Sequence, residues 1–122
     1  MGYIPSQDIF DKKELLERVE GDEDFVREIT DVFLEQAPVM FDTLEAAIDS
    51  EDFYQVSRTA HELKGSASNI GAPRVTDTAK NLKNAAEQKD IKAVHHEFSN
   101  LQNHFEELKH VLHTTFSAEK AD

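Results

Sequence analysis

The sequence predicts an all-α protein: an antiparallel up-down-up-down four-helix bundle with an extra short helix at its N-terminus. Three observations predict it. Apolar residues recur at steps of three and four along nearly the whole chain, and no stretch alternates with the period of two that a strand requires. Four of the segments with this pattern are long and joined by short connections, which makes chain neighbours antiparallel neighbours in space. The four glycines and three prolines are dispersed along the chain and do not gather into linkers. The 122 residues form one domain, 1–122, with 1–7 and 117–122 as loose ends.

The first helix is predicted over Asp8 to Val19, carrying Ile9, Phe10, Leu15, Leu16 and Val19. Asp11, with Glu14 three residues later, resembles a capping box, so the regular part can start there, and Gly21 ends the segment. Asp22 and Asp24 suit the positive end of the next helix. Its apolar stripe runs through Phe25, Ile29, Val32, Phe33, Met40, Leu44 and Ile48, and stays in phase across Pro38. A single rod over 22–49, kinked at the proline, is the expectation. A third helix spans about 52–69 and stops at Asn69-Ile70-Gly71. Pro73 is placed for the first turn of a fourth helix, about 73–88, which buries Val75, Ala79, Leu82 and Ala86. The last helix, about 90–116, carries Ile91, Val94, Phe98, Leu101, Phe105, Leu108 and Leu112, the seam of a packed bundle.

Composition narrows the function classes. A net charge of −12 disfavours nucleic acid, whose phosphates would repel the chain. No cysteine is present, so disulfides and thiolate zinc sites are excluded. No apolar run approaches membrane-spanning length and no signal-peptide pattern opens the chain, so the expected location is cytoplasmic, without membrane contact by this domain. Met1-Gly2 with Ser6 fits a loose N-myristoylation pattern that is too short to carry weight. The charge is also unevenly placed. Residues 1–52 hold 16 acids against 4 bases, whereas 53–122 hold 9 of each. Within 58–83, five bases (Arg58, Lys64, Arg74, Lys80, Lys83) face two acids, Glu62 and Asp77.

This basic stretch contains the most unusual segment, Ala60 to Gly71. Val56, Ala60, Leu63, Ala67 and Ile70 form a buried stripe at helical spacing. His61, Lys64, Gly65 and Ser68 follow the same steps, rotated by about one residue, or ~100°. A histidine can accept and release a group near neutral pH. A lysine one turn on can hold phosphate oxygens, and a serine beyond it can donate a hydrogen bond to the phosphate or to the ring. A glycine inside a helix costs up to ~1 kcal/mol against alanine, so its presence one turn after the histidine signals close approach of a partner. Ser57 and Arg58 extend the same edge. Each of these residues alone is most often a solvated helix position; their combination at this spacing is what points to chemistry.

The sequence resembles the histidine-containing phosphotransfer (HPt) domains of two-component phosphorelays. The resemblance is carried by Ala60-His61-x-Leu63-Lys64-Gly65-x-Ala67-x-Asn69-Ile70-Gly71-Ala72, followed by Leu82 and Ala85-Ala86. Upstream, Leu15-Leu16 before Gly21-Asp22, then Phe33-Leu34, and Leu44 before Ala46-Ala47, continue it over about residues 9–112. The resemblance implies a phosphoryl carrier on His61, with Lys64, Gly65 and Ser68 as its surroundings. His61 would take the group from an aspartyl phosphate of one response-regulator receiver and pass it to the aspartate of another. Ser57, Arg58, Lys80 and Lys83 would lie on the receiver-docking face, and Ile9 or Phe10 would add apolar contact area beside His61. No cofactor is implied for the domain itself; magnesium would come with the receiver. One departure is Leu82-Lys83 where the family commonly has Leu-Glu, a reversed charge near the docking face.

No nucleotide-binding glycine loop is present, so ATP-dependent kinase activity is not expected. The resemblance fits either a free-standing protein or the end domain of a hybrid sensor histidine kinase acting in cis or in trans. The alternative function is a helical-bundle interaction module that transfers nothing. Five further histidines, His95, His96, His104, His110 and His113, occupy the last helix. They supply one Glu107-x-x-His110 spacing, where a di-iron bundle requires two, and read as solvated positions with no metal.

Overall fold

The computed structural model describes residues 5–120. Six helices follow in order: α1 (Pro5–Ile9), α2 (Lys12–Arg18), α3 (Glu23–Asp49), α4 (Phe53–Asn69), α5 (Pro73–Glu87) and α6 (Ile91–Lys120). Among the described residues there is no strand. Helices α3 to α6 form the up-down-up-down bundle, α5 packing between α4 and α6, and α3 closing the ring against both of its neighbours.

Local chemistry sets the helix boundaries. Asp11, Asp22 and Asp52 each accept a hydrogen bond from the backbone N–H three residues on, at 3.0–3.1 Å, and so cap α2, α3 and α4. The three bundle connections, 50–52, 70–72 and 88–90, are the same turn. In each the middle residue is left-handed: Glu51 at φ 53°, Gly71 at φ 75° and Lys89 at φ 55°. In each, the next N–H reaches back five residues: Asp52 to Ala47, Ala72 to Ala67 and Asp90 to Ala85, at 2.8–3.1 Å. This is the Schellman motif, which satisfies the last carbonyls of the helix it ends.

The seams of the bundle differ in bulk. Between α4 and α5 the buried residues include Ala60, Ala67, Ala79, Ala85 and Ala86. Small side chains let the two helices approach closely, so volume added here meets backbone. Between α3 and α6 the space is filled by rings. Phe41 lies tilted against Phe105 at 4.8 Å and against Phe98 at 6.1 Å, and Phe33 meets Phe105 edge-on at 6.0 Å. Across α5 and α6, Thr78 Oγ1 donates to the Arg74 carbonyl at 2.8 Å. His104 Nδ1 lies 2.8 Å from the same hydroxyl and donates to it when that nitrogen carries the ring hydrogen.

Two expectations need correction. The segment 8–19 is two helices, because Asp11 leaves helical geometry (φ −98°, ψ 79°) to cap α2 while its N–H donates to the Gly71 carbonyl at 2.8 Å. As expected, α3 runs across Pro38 as one helix, from Glu23 to Asp49. The ends expected to be loose are helical over 5–7 and 117–120. Just inside the C-terminal extension, Phe116 is buried against Phe10 at 6.3 Å. The N-terminal Met1-Gly2 pattern lies outside the described residues.

Candidate functional site

His61 stands on α4 because the opposite face of that helix is fully engaged. Val56, Ala60, Leu63 and Ala67 are 0% exposed, and together they fix the rotation of α4 about its axis. His61 is exposed as a result, and among the described residues its ring has no hydrogen-bond or ion-pair partner. It lines a groove of about 920 Å³ between α3 and α4, together with Glu35, Gln36, Val39, Met40, Glu62, Gly65 and Ser66. Gly65 is exposed one turn beyond the histidine, and a Cβ built there would meet nothing within 4 Å.

Ser57, Lys64 and Ser68 lie on the opposite flank of α4. Ser68 lines a separate groove with Thr76 and Asp77 of α5, two turns from His61. Ser57 and Lys64 fall on that same α5-facing side by helical period, and both are half-buried. Arg58 is exposed. Because α4 and α5 run antiparallel about the turn at 70–72, Lys80 and Lys83 come to about the level of His61. Lys80 is exposed, and Lys83 is half-buried with Nζ 3.0 Å from Glu87 Oε2. The reversed charge at position 83 is thus paired within its own helix. Arg58, Lys64 and Lys80 have no carboxylate partner among the described residues, whereas Arg18, Arg74 and Lys109 do.

The first helix does not reach His61. Phe10 is 5% exposed and packs on Phe116 at the far end of α6. The apolar residues beside the histidine are Val39 and Met40 of α3. The antiparallel turn at 50–52 could have found them, since it pairs position 61 with a position near 41. The helix carrying His61 is held at its end by the N-terminal segment: Arg18 Nη2 donates to the Asn69 carbonyl at 3.2 Å and lies 3.5 Å from that of Ser68. A cation on these carbonyls opposes the negative end of the helix dipole.

Of the α6 histidines, His95, His96, His110 and His113 are exposed, and His104 is half-buried against Thr78. Among the described residues no three histidine or carboxylate side chains converge as metal ligands, and no helix is long and apolar enough to cross a membrane.

Comparisons with known proteins agree with this geometry. The family described as "Hpt domain" matches residues 28–112. Histidine-containing phosphotransfer protein 2 of Arabidopsis thaliana is 31% identical over 104 residues, covering 83% of this chain and 67% of the relative. Histidine-containing phosphotransfer protein 1 of the same plant is 29% identical over 103 residues, with the same coverage of 83% and 67%. Among solved structures, the maize histidine-containing phosphotransfer protein ZmHP2 superposes with a TM-score of 0.80 at 26% identity, covering 98% of this chain and 86% of its own. The protein HptB of Pseudomonas aeruginosa PAO1 shares the fold, with a TM-score of 0.80 at 23% identity, covering 87% of this chain and 92% of its own.

Proposed function

The chain belongs to the Hpt domain family and serves histidine phosphotransfer in phosphorelays; on that premise we propose that His61 is the residue that carries the phosphoryl group. The observation that carries the proposal is the exposed, unpartnered imidazole of His61, one turn before a glycine with open space in front of it.

An imidazole nitrogen uses its lone pair to displace the aspartate carboxylate of a donor receiver from phosphorus. The acyl-phosphate P–O bond breaks and a P–N bond forms; transfer to an acceptor receiver reverses these events. Such a step needs positioning and neutralisation of charge more than covalent assistance. Lys64 supplies a cation within one helical turn, and Gly65 supplies clearance for the receiver. The unpaired Arg58 and Lys80, with Lys83, favour approach of a receiver's acidic, magnesium-holding pocket. The domain then acts as a carrier without kinase activity of its own, in the cytoplasm, alone or joined to a hybrid histidine kinase.

The test is to mix the protein with a phosphorylated receiver of the same organism. Label is expected on His61, lost in His61→Gln with helicity unchanged, and labile in acid as a phosphoramidate is. Wild-type protein that takes no label from any such receiver, or takes an acid-stable one, would refute the proposal and leave a helical interaction module.

A further inference from the structure

Helices α3, α4 and α5 end in the same turn, yet the end of α4 is held from outside it. In each turn the two Schellman bonds take up a pair of carbonyls: Ala47 and Ile48, Ala67 and Ser68, Ala85 and Ala86. The next carbonyl, that of Asp49, Asn69 or Glu87, lies beyond the motif. At Asn69 it accepts from Arg18 Nη2 at 3.2 Å, with the Ser68 carbonyl 3.5 Å from the same nitrogen. Among the described residues no side chain donates to the carbonyl of Asp49 or Glu87. Arg18 comes from α2 and is aimed by its own helix, with Glu14 Oε1 2.7 Å from its Nε.

The end that receives this cap is intrinsically weak. It reads Gly65-Ser66-Ala67-Ser68-Asn69, in which alanine alone is a strong helix former. No basic residue of α4 itself stands in the last turn to oppose the helix dipole. The core holds the inner side through Ala67 and Ile70, at 0% and 2% exposure. The outer side, with Gly65, Ser68 and Asn69, is exposed. By helical geometry the N–H groups of Ser68 and Asn69 donate to the carbonyls of Lys64 and Gly65. The last hydrogen bonds of α4 therefore land on the residues that follow His61. Asn69 itself is eight residues past the histidine, about 12 Å along the helix axis.

Resting on the phosphotransfer role of His61, we propose that Arg18 is a positioning residue for that reaction. It acts at the end of the helix, away from the transferred group. With α2 docked, the last turn of α4 is closed, and Lys64 and Ser68 keep fixed places relative to His61. With α2 lifted, that turn loosens, the backbone of Lys64 loses a hydrogen bond, and charge on the phosphoryl group is stabilised less in the transition state. The other anchors of the segment, Asp11 N–H on the Gly71 carbonyl at 2.8 Å and Phe10 on Phe116, set how firmly α2 is seated. The N-terminal segment is a strap whose docking sets the rate of phosphotransfer.

The experiment uses the full chain with Arg18→Ala and, separately, Glu14→Ala, both at exposed positions. They are compared with Phe98→Leu, which loosens the α3–α6 seam away from α4, and folding is checked by circular dichroism and urea unfolding. Two rates are measured: labelling of His61 by phosphoramidate, a small donor, and transfer from a saturating phosphorylated receiver of the same organism. Affinity for that receiver activated with beryllofluoride is measured alongside. Arg18→Ala is expected to slow labelling from both donors by about fivefold, with receiver affinity unchanged. Glu14→Ala slows both by less, and Phe98→Leu lowers stability but leaves both rates at the wild-type level. If Arg18→Ala does not fold, Glu14→Ala decides by the same comparison. Wild-type rates in the α2 variants, or an equal slowing in Phe98→Leu, overturn the positioning role and leave the cap a matter of stability. Lost receiver affinity with normal phosphoramidate labelling also overturns it, since Arg18 is then a docking contact. Wild-type protein that takes no label from either donor overturns the role of His61, and this inference with it.

Discussion

Gly65 and Gly71 lie six residues apart, one within α4 and one just past its end, and the molecule uses them in opposite ways. Gly71 answers to its own chain. It is left-handed at φ 75°, and an added Cβ would sit 3.2 Å from the carbonyl oxygen of Asp11. The two sister turns show that the left-handed conformation alone does not demand glycine, since Glu51 and Lys89 adopt it. What distinguishes position 71 is the N-terminal segment lying against it. Gly65 has ordinary helical geometry and empty space where a side chain would be. No neighbour within the described chain requires it, although glycine weakens the helix there. The turn is shaped by the fold; the middle of α4 is shaped by whatever lands on it.

Three substitutions probe this contrast. Ala67→Leu enlarges the inner face of the same stretch of α4, at a residue that is 0% exposed in the alanine-lined seam. A loss of ~1–3 kcal/mol is expected, read as a lower midpoint of urea unfolding. Gly71→Ala is expected to lose ~1–2 kcal/mol from the left-handed backbone, and the Asp11 amide, which bonds Gly71, should exchange faster with solvent. Gly65→Ala should instead gain ~0.5–1 kcal/mol. Transfer from a receiver should slow in that variant, while phosphoramidate still labels His61. A destabilised Gly65→Ala protein would show that the glycine serves the fold after all, and the contrast would collapse.

The helix boundaries were legible in the sequence because their causes are local. Asp11, Asp22 and Asp52 cap the helices they precede, Gly71 closes the turn, and Pro73 opens α5. The edge of α4 was legible too, since His61, Lys64, Gly65 and Ser68 are related by the helical period alone. What the sequence hid depends on how separate elements meet. The groove beside His61 draws Val39 and Met40 from α3, and finding them requires the pairing of two helices across a turn. Phe10 read as an apolar residue near the site; its place depends on α6 running on to Phe116 at the far end of the molecule. The Asp11 cap marks the start of α2, but that a separate helix α1 precedes it goes with the Asp11 N–H being bonded to the distant Gly71 carbonyl.

The contact between Arg18 and the end of α4 has a consequence for how the chain assembles. Helices α3 to α6 follow one another through three-residue connections, so most of the bundle gathers by short-range steps. The Arg18 guanidinium and the Asn69 carbonyl are 51 positions apart, and closing so long a loop has an entropic cost that grows with its length. Moreover, the turn that receives α2 exists only once α4 and α5 have paired. The N-terminal segment therefore couples to the bundle through the end of the helix that presents His61, and loosening that segment is expected to uncap α4 at Asn69, which amide exchange of residues 69–72 would read.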